Sequence, residues 1–127
     1  MFSFSNRVTS SLAAMAALLF ALAAFTPVYA AAAQLVVVES AGCPYCVAWE
    51  RTVGRMYSTT EFGKQAPLRR VDIQAQRPKD LAKVKEVNVT PTFVLVHDGQ
   101  EVGRIVGYNE DFWPQLKKLM ARLPGTR

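Results

Sequence analysis

The chain contains 127 residues, half of them hydrophobic, with 15 basic and ten acidic side chains and a formal net charge of +5 at neutral pH. Without the first 30 residues, which are considered next, 97 residues remain, enough for one compact domain with a single core and too few for two. The basic residues occur singly or in pairs, without the clustering of a nucleic-acid-binding surface, so we expect no nucleic-acid partner.

Residues 1–30 match the pattern of a secretory signal peptide. A polar start with Arg7 precedes the apolar run Leu12–Phe25, and the triplet Val28-Tyr29-Ala30 has the form of a processing site. The run of 14 apolar residues is short for a membrane span, which needs about 20. We therefore expect cleavage after Ala30, export to the periplasm and no stable membrane association afterwards. An uncleaved anchor, lengthened by the alanines up to Ala33, is the alternative.

Cleavage would leave residues 31–127 as a single domain of 97 residues with 14 basic and ten acidic side chains, a net charge of +4. Its continuous β-branched run at 34–39 predicts a central strand that is buried on both faces. Ser40, Ala41 and Gly42 end this strand, and apolar residues then recur at helical spacing. The inner face of the predicted helix consists of Cys46, Trp49, Val53, Met56 and Tyr57.

The remaining sequence predicts three more strands and two more helices. Asp98-Gly99 is a strong hairpin signal, so the strands on either side of it should be antiparallel. The order β-α-β-α-β-β-α predicts an α/β fold with a four-stranded mixed sheet flanked by helices. The predicted elements are a strand at 68–73, a short helix from Pro78 carrying Leu81 and Val84, strands at 92–97 and 101–106, and a helix from Asn109 or Asp111 to Arg122 with Leu116, Leu119, Met120 and Leu123 inside.

Cys43 and Cys46 form a C-x-x-C motif between a buried strand and a helix, which is the context of a redox-active pair. The unpaired amides and the dipole of the first helical turn favour a thiolate at Cys43, which is the predicted nucleophile. Pro44 suits this turn because it needs no amide hydrogen there. Cys46, on the apolar face, is predicted to be more buried and to act as the resolving thiol. Tyr45 should be exposed and contact the substrate.

Other uses of the two cysteines remain open on spacing alone. A structural disulfide is possible in an exported protein, although so short a loop stabilises little. A zinc site needs about four ligands, and the chain adds only His97 to the cysteines, while haem attachment would need histidine at the position of Val47. A Cu(I) carrier is compatible with two soft thiolates. We expect neither a metal nor a cofactor.

The segment Val89-Thr90-Pro91-Thr92, before the third strand, resembles the thioredoxin superfamily when taken together with the C-x-x-C motif. The resemblance implies a thioredoxin-like fold for residues 31–127, a cis bond between Thr90 and Pro91, and a disulfide between Cys43 and Cys46 in the oxidised protein. It also implies which residues bind the substrate chain: Pro44, Tyr45, Thr90 and Pro91.

The chain departs from thioredoxins proper at two positions of the site. Gly42 stands where they carry tryptophan, and Val37 stands where they carry a buried aspartate. The motif Cys43-Pro44-Tyr45-Cys46 resembles that of glutaredoxins and of some periplasmic disulfide isomerases. Val89-Thr90-Pro91 replaces the Thr-Val-Pro of glutaredoxins, so the use of glutathione remains open. Glu39 is interpreted as a surface residue at a strand end, with proton transfer near Cys46 as the alternative.

Four segments between about residues 35 and 119 are similar to the periplasmic thioredoxin-like proteins of bacterial sulfur-oxidation (Sox) gene clusters. The resemblance implies a disulfide reductase that keeps the cysteine of a periplasmic sulfur-carrier protein active and is recharged by a membrane thiol transporter. An oxidase or isomerase with the same site, and a metal-carrying or stapled binding module, are the alternatives. The four segments are Gly42-Cys43-Pro44-Tyr45-Cys46, Ala66-Pro67-Leu68-Arg69-Arg70-Val71-Asp72, Thr90-Pro91-Thr92-Phe93-Val94-Leu95 and Gly103-Arg104-Ile105-Val106-Gly107-Tyr108.

The leader prediction can be tested on the exported protein. If residues 1–30 are removed, the mature chain begins at Ala31, because the signal peptidase cuts after small residues at the first and third positions of the triplet. Intact-mass spectrometry of the periplasmic fraction measures this directly. Soluble cytoplasmic protein that still begins with Met1 would contradict export.

Overall fold

A computed structural model describes residues 33–125, so the predicted signal peptide lies outside the described residues. Helix α1 runs on through a π-helical segment into α2, and a single 3₁₀ turn follows β2. The elements in chain order are β1 (Ala33–Glu39), α1 (Pro44–Trp49), the π segment (Glu50–Gly54), α2 (Arg55–Tyr57), α3 (Glu61–Gln65), β2 (Leu68–Asp72), the 3₁₀ turn (Lys79–Leu81), β3 (Thr92–His97), β4 (Gln100–Val106) and α4 (Phe112–Met120).

The β-branched strand β1 lies inside a four-stranded sheet of order β2-β1-β3-β4. It pairs in parallel with β2 and antiparallel with β3, and β3 pairs antiparallel with β4 across the predicted hairpin. Leu35, Val36 and Val37 of β1 are at most 1% exposed. The predicted central position and the predicted mixed sheet are therefore both confirmed.

Both faces of the sheet are covered by apolar side chains, which gives the layered α/β arrangement expected of a thioredoxin-like fold. One cluster packs α1, α2 and α4 against the sheet and contains the aromatic residues Trp49, Phe93 and Phe112. The opposite cluster joins Val36 and Val94 to side chains that follow β2. The predicted inner face of α4 is confirmed at Leu116, Leu119 and Met120, and Leu123 is also buried, although the helix ends at Met120 rather than Arg122.

The inner face of the helix at 44–57 differs from the prediction at one residue. Met56 is 50% exposed, whereas Tyr57 is fully buried. Tyr57 lies four residues after the buried Val53, close to one full turn, so its side chain faces the core and Met56 is turned to the side. The Tyr57 hydroxyl donates a hydrogen bond to the Ala66 carbonyl at 2.8 Å, and burial raises the pKa of this phenol.

The two short helical elements between α2 and β3 were difficult to predict. The helix expected after Pro78 is a single 3₁₀ turn, although Leu81 and Val84 are buried as predicted. Helix α3 was not predicted, because its five residues are too few to show a period. Its start is marked by Thr60, whose hydroxyl oxygen accepts a hydrogen bond from the Gly63 amide at 3.1 Å.

An ion pair on β4 holds the loop that leads toward Pro91. Arg104 donates to the carbonyl oxygens of Glu86 at 2.9 Å and Lys85 at 3.2 Å. Glu101 accepts the Lys85 amide at 3.0 Å and the Arg104 Nε hydrogen at 2.6 Å. The hydrogen bonds from Arg104 lower the pKa of the Glu101 carboxyl. The pair thus links the β3–β4 hairpin to the loop before the site.

Replacing this carboxylate should destabilise the fold in a pH-dependent way. We expect Glu101→Gln to lower the free energy of unfolding at neutral pH by about 1–3 kcal/mol. Since the pKa of Glu101 is lower in the folded state, its contribution is present above its unfolded pKa and is lost as pH falls through its folded pKa. Urea unfolding of both proteins at neutral and acidic pH measures the difference.

A matched control is Glu61→Gln, which removes the carboxylate of the exposed pair with Lys64. This change should stay within about 0.5 kcal/mol of the parent at every pH. A gap between the parent and Glu101→Gln that persists undiminished in acid would contradict the assigned role of the ionised carboxylate.

Candidate active site

The two cysteines of the C-x-x-C motif form a disulfide at the start of α1, with their Cα atoms 5.2 Å apart. Gly42 has a φ of +74°, a left-handed conformation that glycine adopts without steric cost, and it turns the chain from β1 into the helix. Cys43 is the N-cap residue, and its Sγ accepts a hydrogen bond from the Cys46 amide at 3.1 Å. Pro44 occupies the first turn as predicted.

The exposure of the cysteines differs from the prediction. Cys43 is 7% exposed and Cys46 is 6% exposed, so Cys46 is not the distinctly more buried of the two. The reason is a long-range contact, because the Sγ atom of Cys43 lies 3.5 Å from the carbonyl oxygen of Thr90. Tyr45 between them is 64% exposed, as predicted.

The loop at Thr90 and Pro91 faces the disulfide. The bond between these residues is cis, as the superfamily resemblance implies. The Thr90 hydroxyl is hydrogen-bonded to the Ser40 hydroxyl at 2.9 Å, and the Pro91 carbonyl accepts the Gly107 amide at 2.8 Å. Ser40 was missed as a site residue, since its only sequence signal was its place between a strand and the motif.

The hydrogen bonds that the Cys43 sulfur can form differ between the oxidised and the reduced protein. A bonded Cys43 Sγ carries no hydrogen, so its approach to the Thr90 carbonyl at 3.5 Å is a contact in the oxidised protein. After reduction, a thiol could donate to this carbonyl, whereas a thiolate could accept the Cys46 amide hydrogen. Hydrogen bonds to charged groups are about twice as strong as neutral ones, which favours the thiolate.

Three exposed apolar side chains lie in the cysteine motif, in the loop before Pro91 and at the end of β4. Tyr45 is 64%, Val89 49% and Val106 56% exposed. Val89 precedes Thr90 in the loop that contacts Cys43, and Val106 pairs with Thr92, the residue after Pro91. These three side chains therefore lie on the elements that frame the disulfide, where a partner protein could cover them.

A charged cluster lies on another side of the cysteines. Arg70 of β2 donates to both carboxylate oxygens of Glu39 at 3.2 Å and forms a second ion pair with Glu50. Its guanidinium also lies 5.3 Å from the centre of the Trp49 ring. Burial opposes the charge of Arg70, but the hydrogen bonds with Glu50 and Glu39 outweigh burial and raise the pKa of the guanidinium.

The charged cluster, Glu39, Arg70 and Glu50, borders a cavity of about 370 Å³ that is also lined by both cysteines. Glu39 is at a strand end as predicted, but it is ion-paired rather than free in solvent. Neither Glu50 nor Arg70 was assigned a role from the sequence. Sequence reasoning missed this cluster because its three members come from β1, the π segment and β2.

His97, the histidine considered as a metal ligand, lies apart from the active site. His97 ends β3, at the opposite end of the strand from Thr92, with its Nδ1 3.4 Å from Asp98. Within residues 33–125, no three His, Cys, Asp or Glu side chains are grouped so that they could hold a metal ion. No helix in this part of the chain is long and apolar enough to cross a membrane.

Known proteins resemble the chain in sequence and fold. The family model of the thioredoxin-like domain matches residues 30–121. The crystal structure of the reduced periplasmic thioredoxin SoxS from Paracoccus pantotrophus is 37% identical, with a TM-score of 0.67, and the match covers 71% of this chain and 97% of that one. Among curated proteins, none matches the chain.

Two thioredoxins from other sources are more distant. The Fasciola hepatica protein is 27% identical with a TM-score of 0.53, and the match covers 71% of this chain and 79% of that one. The Thermus thermophilus protein, at 23% identity and a TM-score of 0.54 with 71% and 75% covered, supports the fold alone.

The similarity to SoxS confirms the resemblance to Sox thioredoxins that the four sequence segments indicated. The family model extends over all of the described sheet. The cysteine pair lies at the helix start in this fold. The chain therefore belongs to the thioredoxin-like family and is a thiol-disulfide oxidoreductase whose redox-active pair is Cys43 and Cys46.

Proposed function

We propose that the chain is a periplasmic disulfide reductase that acts on a protein substrate. The observation that carries this proposal is the position of the disulfide, which caps a helix, faces the Thr90 carbonyl and is framed by exposed apolar residues. In the reduced protein, the Cys43 thiolate attacks the substrate disulfide and forms a mixed disulfide. Cys46 then attacks Cys43 and releases the reduced substrate.

The assignment of Cys43 as the nucleophile rests on its surroundings. Its sulfur accepts the Cys46 amide at the first helical turn, where the helix dipole also favours a negative charge. Cys46 makes the second attack because its backbone places it 5.2 Å from Cys43, Cα to Cα, in a geometry that already accommodates the bond.

A protein substrate is favoured over a small molecule by the exposed residues around the disulfide. Tyr45, Val89 and Val106 present apolar surface of the kind that a docked chain covers. Thr90 and Pro91 would contact the substrate backbone at the mixed disulfide, and Pro44 and Tyr45 would contact it from the helix side.

The biological setting of the proposal is sulfur oxidation in the periplasm. It is supported by the similarity to the periplasmic thioredoxin SoxS and by the signal-peptide pattern of residues 1–30. In that setting the substrate is the oxidised cysteine of a periplasmic sulfur-carrier protein, and a membrane thiol transporter supplies the electrons.

Measuring the reduction potential of the Cys43–Cys46 couple would separate a reductase from an oxidase.

Single cysteine substitutions should separate the two steps of the reaction. Cys46→Ser keeps the nucleophile and loses the release step, so it should accumulate as a mixed disulfide with its substrate. Cys43→Ser should trap nothing. Non-reducing electrophoresis of each variant after incubation with periplasmic extract, followed by mass spectrometry, would identify the trapped protein.

The alternative functions, a structural disulfide and a copper carrier, predict different results for the same two variants. A stapling disulfide predicts that both substitutions weaken folding equally and that neither captures a partner. A copper carrier predicts that both abolish metal binding to the same degree. Equal behaviour of the two variants in the trapping assay would contradict the different roles proposed for Cys43 and Cys46.

Removal of the exposed aromatic ring should weaken reduction of protein disulfides selectively. We expect Tyr45→Ser to lower kcat/KM for a protein disulfide such as insulin about tenfold, which corresponds to about 1.4 kcal/mol of lost contact. Attack on the small disulfide dithiodipyridine should be unchanged. Steady-state reduction and stopped-flow absorbance measure the two rates.

Met56→Ser is the matched control for this test. Met56 is 50% exposed, similar to Tyr45, but it lies in α2, about three turns along the helix. This variant should reduce both substrates at the parental rate. An equal loss for Tyr45→Ser on both substrates would argue against a docking role for the ring.

A further inference from the structure

The release step requires a proton acceptor for Cys46, because the thiolate rather than the thiol attacks. Cys46 is only 6% exposed, so its sulfur has little direct contact with bulk solvent. Val37, where thioredoxins proper carry a buried aspartate, is fully buried in the apolar cluster with Trp49 and Phe93. Position 37 therefore supplies no acceptor, and another residue must do so.

The cavity that reaches Cys46 supplies two carboxylates. Its lining includes Glu39 and Glu50 together with both cysteines. At about 370 Å³ it can hold several water molecules, so a proton can pass from Cys46 to a carboxylate without direct contact between the two groups.

The orientations of the two carboxylates distinguish them. A Cβ atom at Gly54 would collide with the carboxylate of Glu50, so the Glu50 side chain lies over Gly54, two turns beyond Cys46 on the helix. Glu39 ends β1, four residues before Cys43, and its neighbour Ser40 bonds to Thr90 beside the disulfide. Glu39 is therefore the carboxylate on the cysteine side of the cavity.

We propose that Glu39 accepts the proton of Cys46 during the release step and that Arg70 is the positioning residue that holds Glu39 at the cavity. The proposal rests on the reductase mechanism given above and adds an acid-base group to it. Arg70 fixes the Glu39 carboxylate through two contacts at 3.2 Å, and it is itself fixed by Glu50 and the Trp49 ring.

The formal charges of the cluster suit proton uptake. One cation, Arg70, is shared by two carboxylates, Glu39 and Glu50, so the cluster carries one excess negative charge. One proton makes it neutral. Arg51 and Arg55 also line the cavity, and their positive charges oppose proton uptake, but both are exposed, so water weakens this effect.

The release step combines one proton transfer with one thiol-disulfide exchange. The Cys46 thiol transfers its proton through water to Glu39, and the resulting thiolate attacks the Cys43 sulfur of the mixed disulfide. The Cys43–Cys46 bond forms while the bond from Cys43 to the substrate sulfur breaks. The substrate sulfur leaves with the electron pair and takes up a proton from Glu39 or solvent. The enzyme pair is oxidised and the substrate sulfur is reduced.

Dithiodipyridine separates the two steps in one experiment, because each step releases one absorbing thiopyridone. A limiting amount is mixed with the reduced protein. The first release reports attack by Cys43 and depends on concentration, and the second reports release by Cys46 and does not. The reagent is neutral, so a change of charge at position 39 does not alter its attraction to the protein.

We expect Glu39→Gln to leave the first release unchanged and to slow the second about 100-fold near neutral pH. As pH rises, Cys46 loses its proton to solvent without help, so the two proteins should converge. Arg70→Met should slow the second release to a smaller extent, and Arg70→Lys should restore part of the rate. Glu61→Gln, a carboxylate change in a remote ion pair, should alter neither release.

Several results would overturn the assignment. An unchanged second release in Glu39→Gln would exclude Glu39 as the acceptor. An equal slowing at every pH would indicate a structural role only. If Glu50→Gln shows the pH-dependent loss and Glu39→Gln does not, the acceptor is Glu50. Absence of the first release in the parent protein would instead contradict the reductase mechanism and Cys43 as nucleophile.

Discussion

The pairing of β1 with both of its neighbours is the constraint on which the site depends. Because β1 is parallel to β2 and antiparallel to β3, the ends of β1 and β2 and the beginning of β3 meet at one edge of the sheet. The cysteine motif follows β1, Arg70 is the middle residue of β2, and Pro91 directly precedes β3. Hydrogen bonding in the sheet thus assembles groups that are up to about fifty residues apart.

At this edge Cys43 lies between two backbone groups with opposite preferences. The Cys46 amide favours a thiolate, and the Thr90 carbonyl favours a thiol or a bonded sulfur. The hydroxyl pair of Ser40 and Thr90 fixes the distance between the loop and the motif. Small movements of this loop would therefore change the balance between thiolate and disulfide, which is the balance that determines a reduction potential.

Local patterns predicted the elements of the fold, and long-range contacts explain what they missed. The valines of β1 and the Asp98-Gly99 turn carry their structural signal within a few residues, so the sheet could be predicted. The burial of Cys43 depends on Thr90, 47 residues away, and the charged cluster depends on Arg70, 20 residues from Glu50. The periodicity of the sequence does not reveal contacts between residues that are so far apart. The exposure of Met56 was missed because apolar character alone does not distinguish adjacent helical positions.

In the proposed mechanism, Glu39 of the charged cluster takes the place of an acid at position 37. A carboxylate at Val37 would be fully buried in the apolar cluster, where an ionised group carries a desolvation cost of several kcal/mol. Glu39 lies two residues further along β1, with its side chain 27% exposed and paired to Arg70, so it carries less of that cost. The core thereby keeps its packing around Trp49. This arrangement also requires glycine at position 54, because a side chain there would collide with the Glu50 carboxylate. Arg70 would then lose one of the two carboxylates that hold it beside the cysteines.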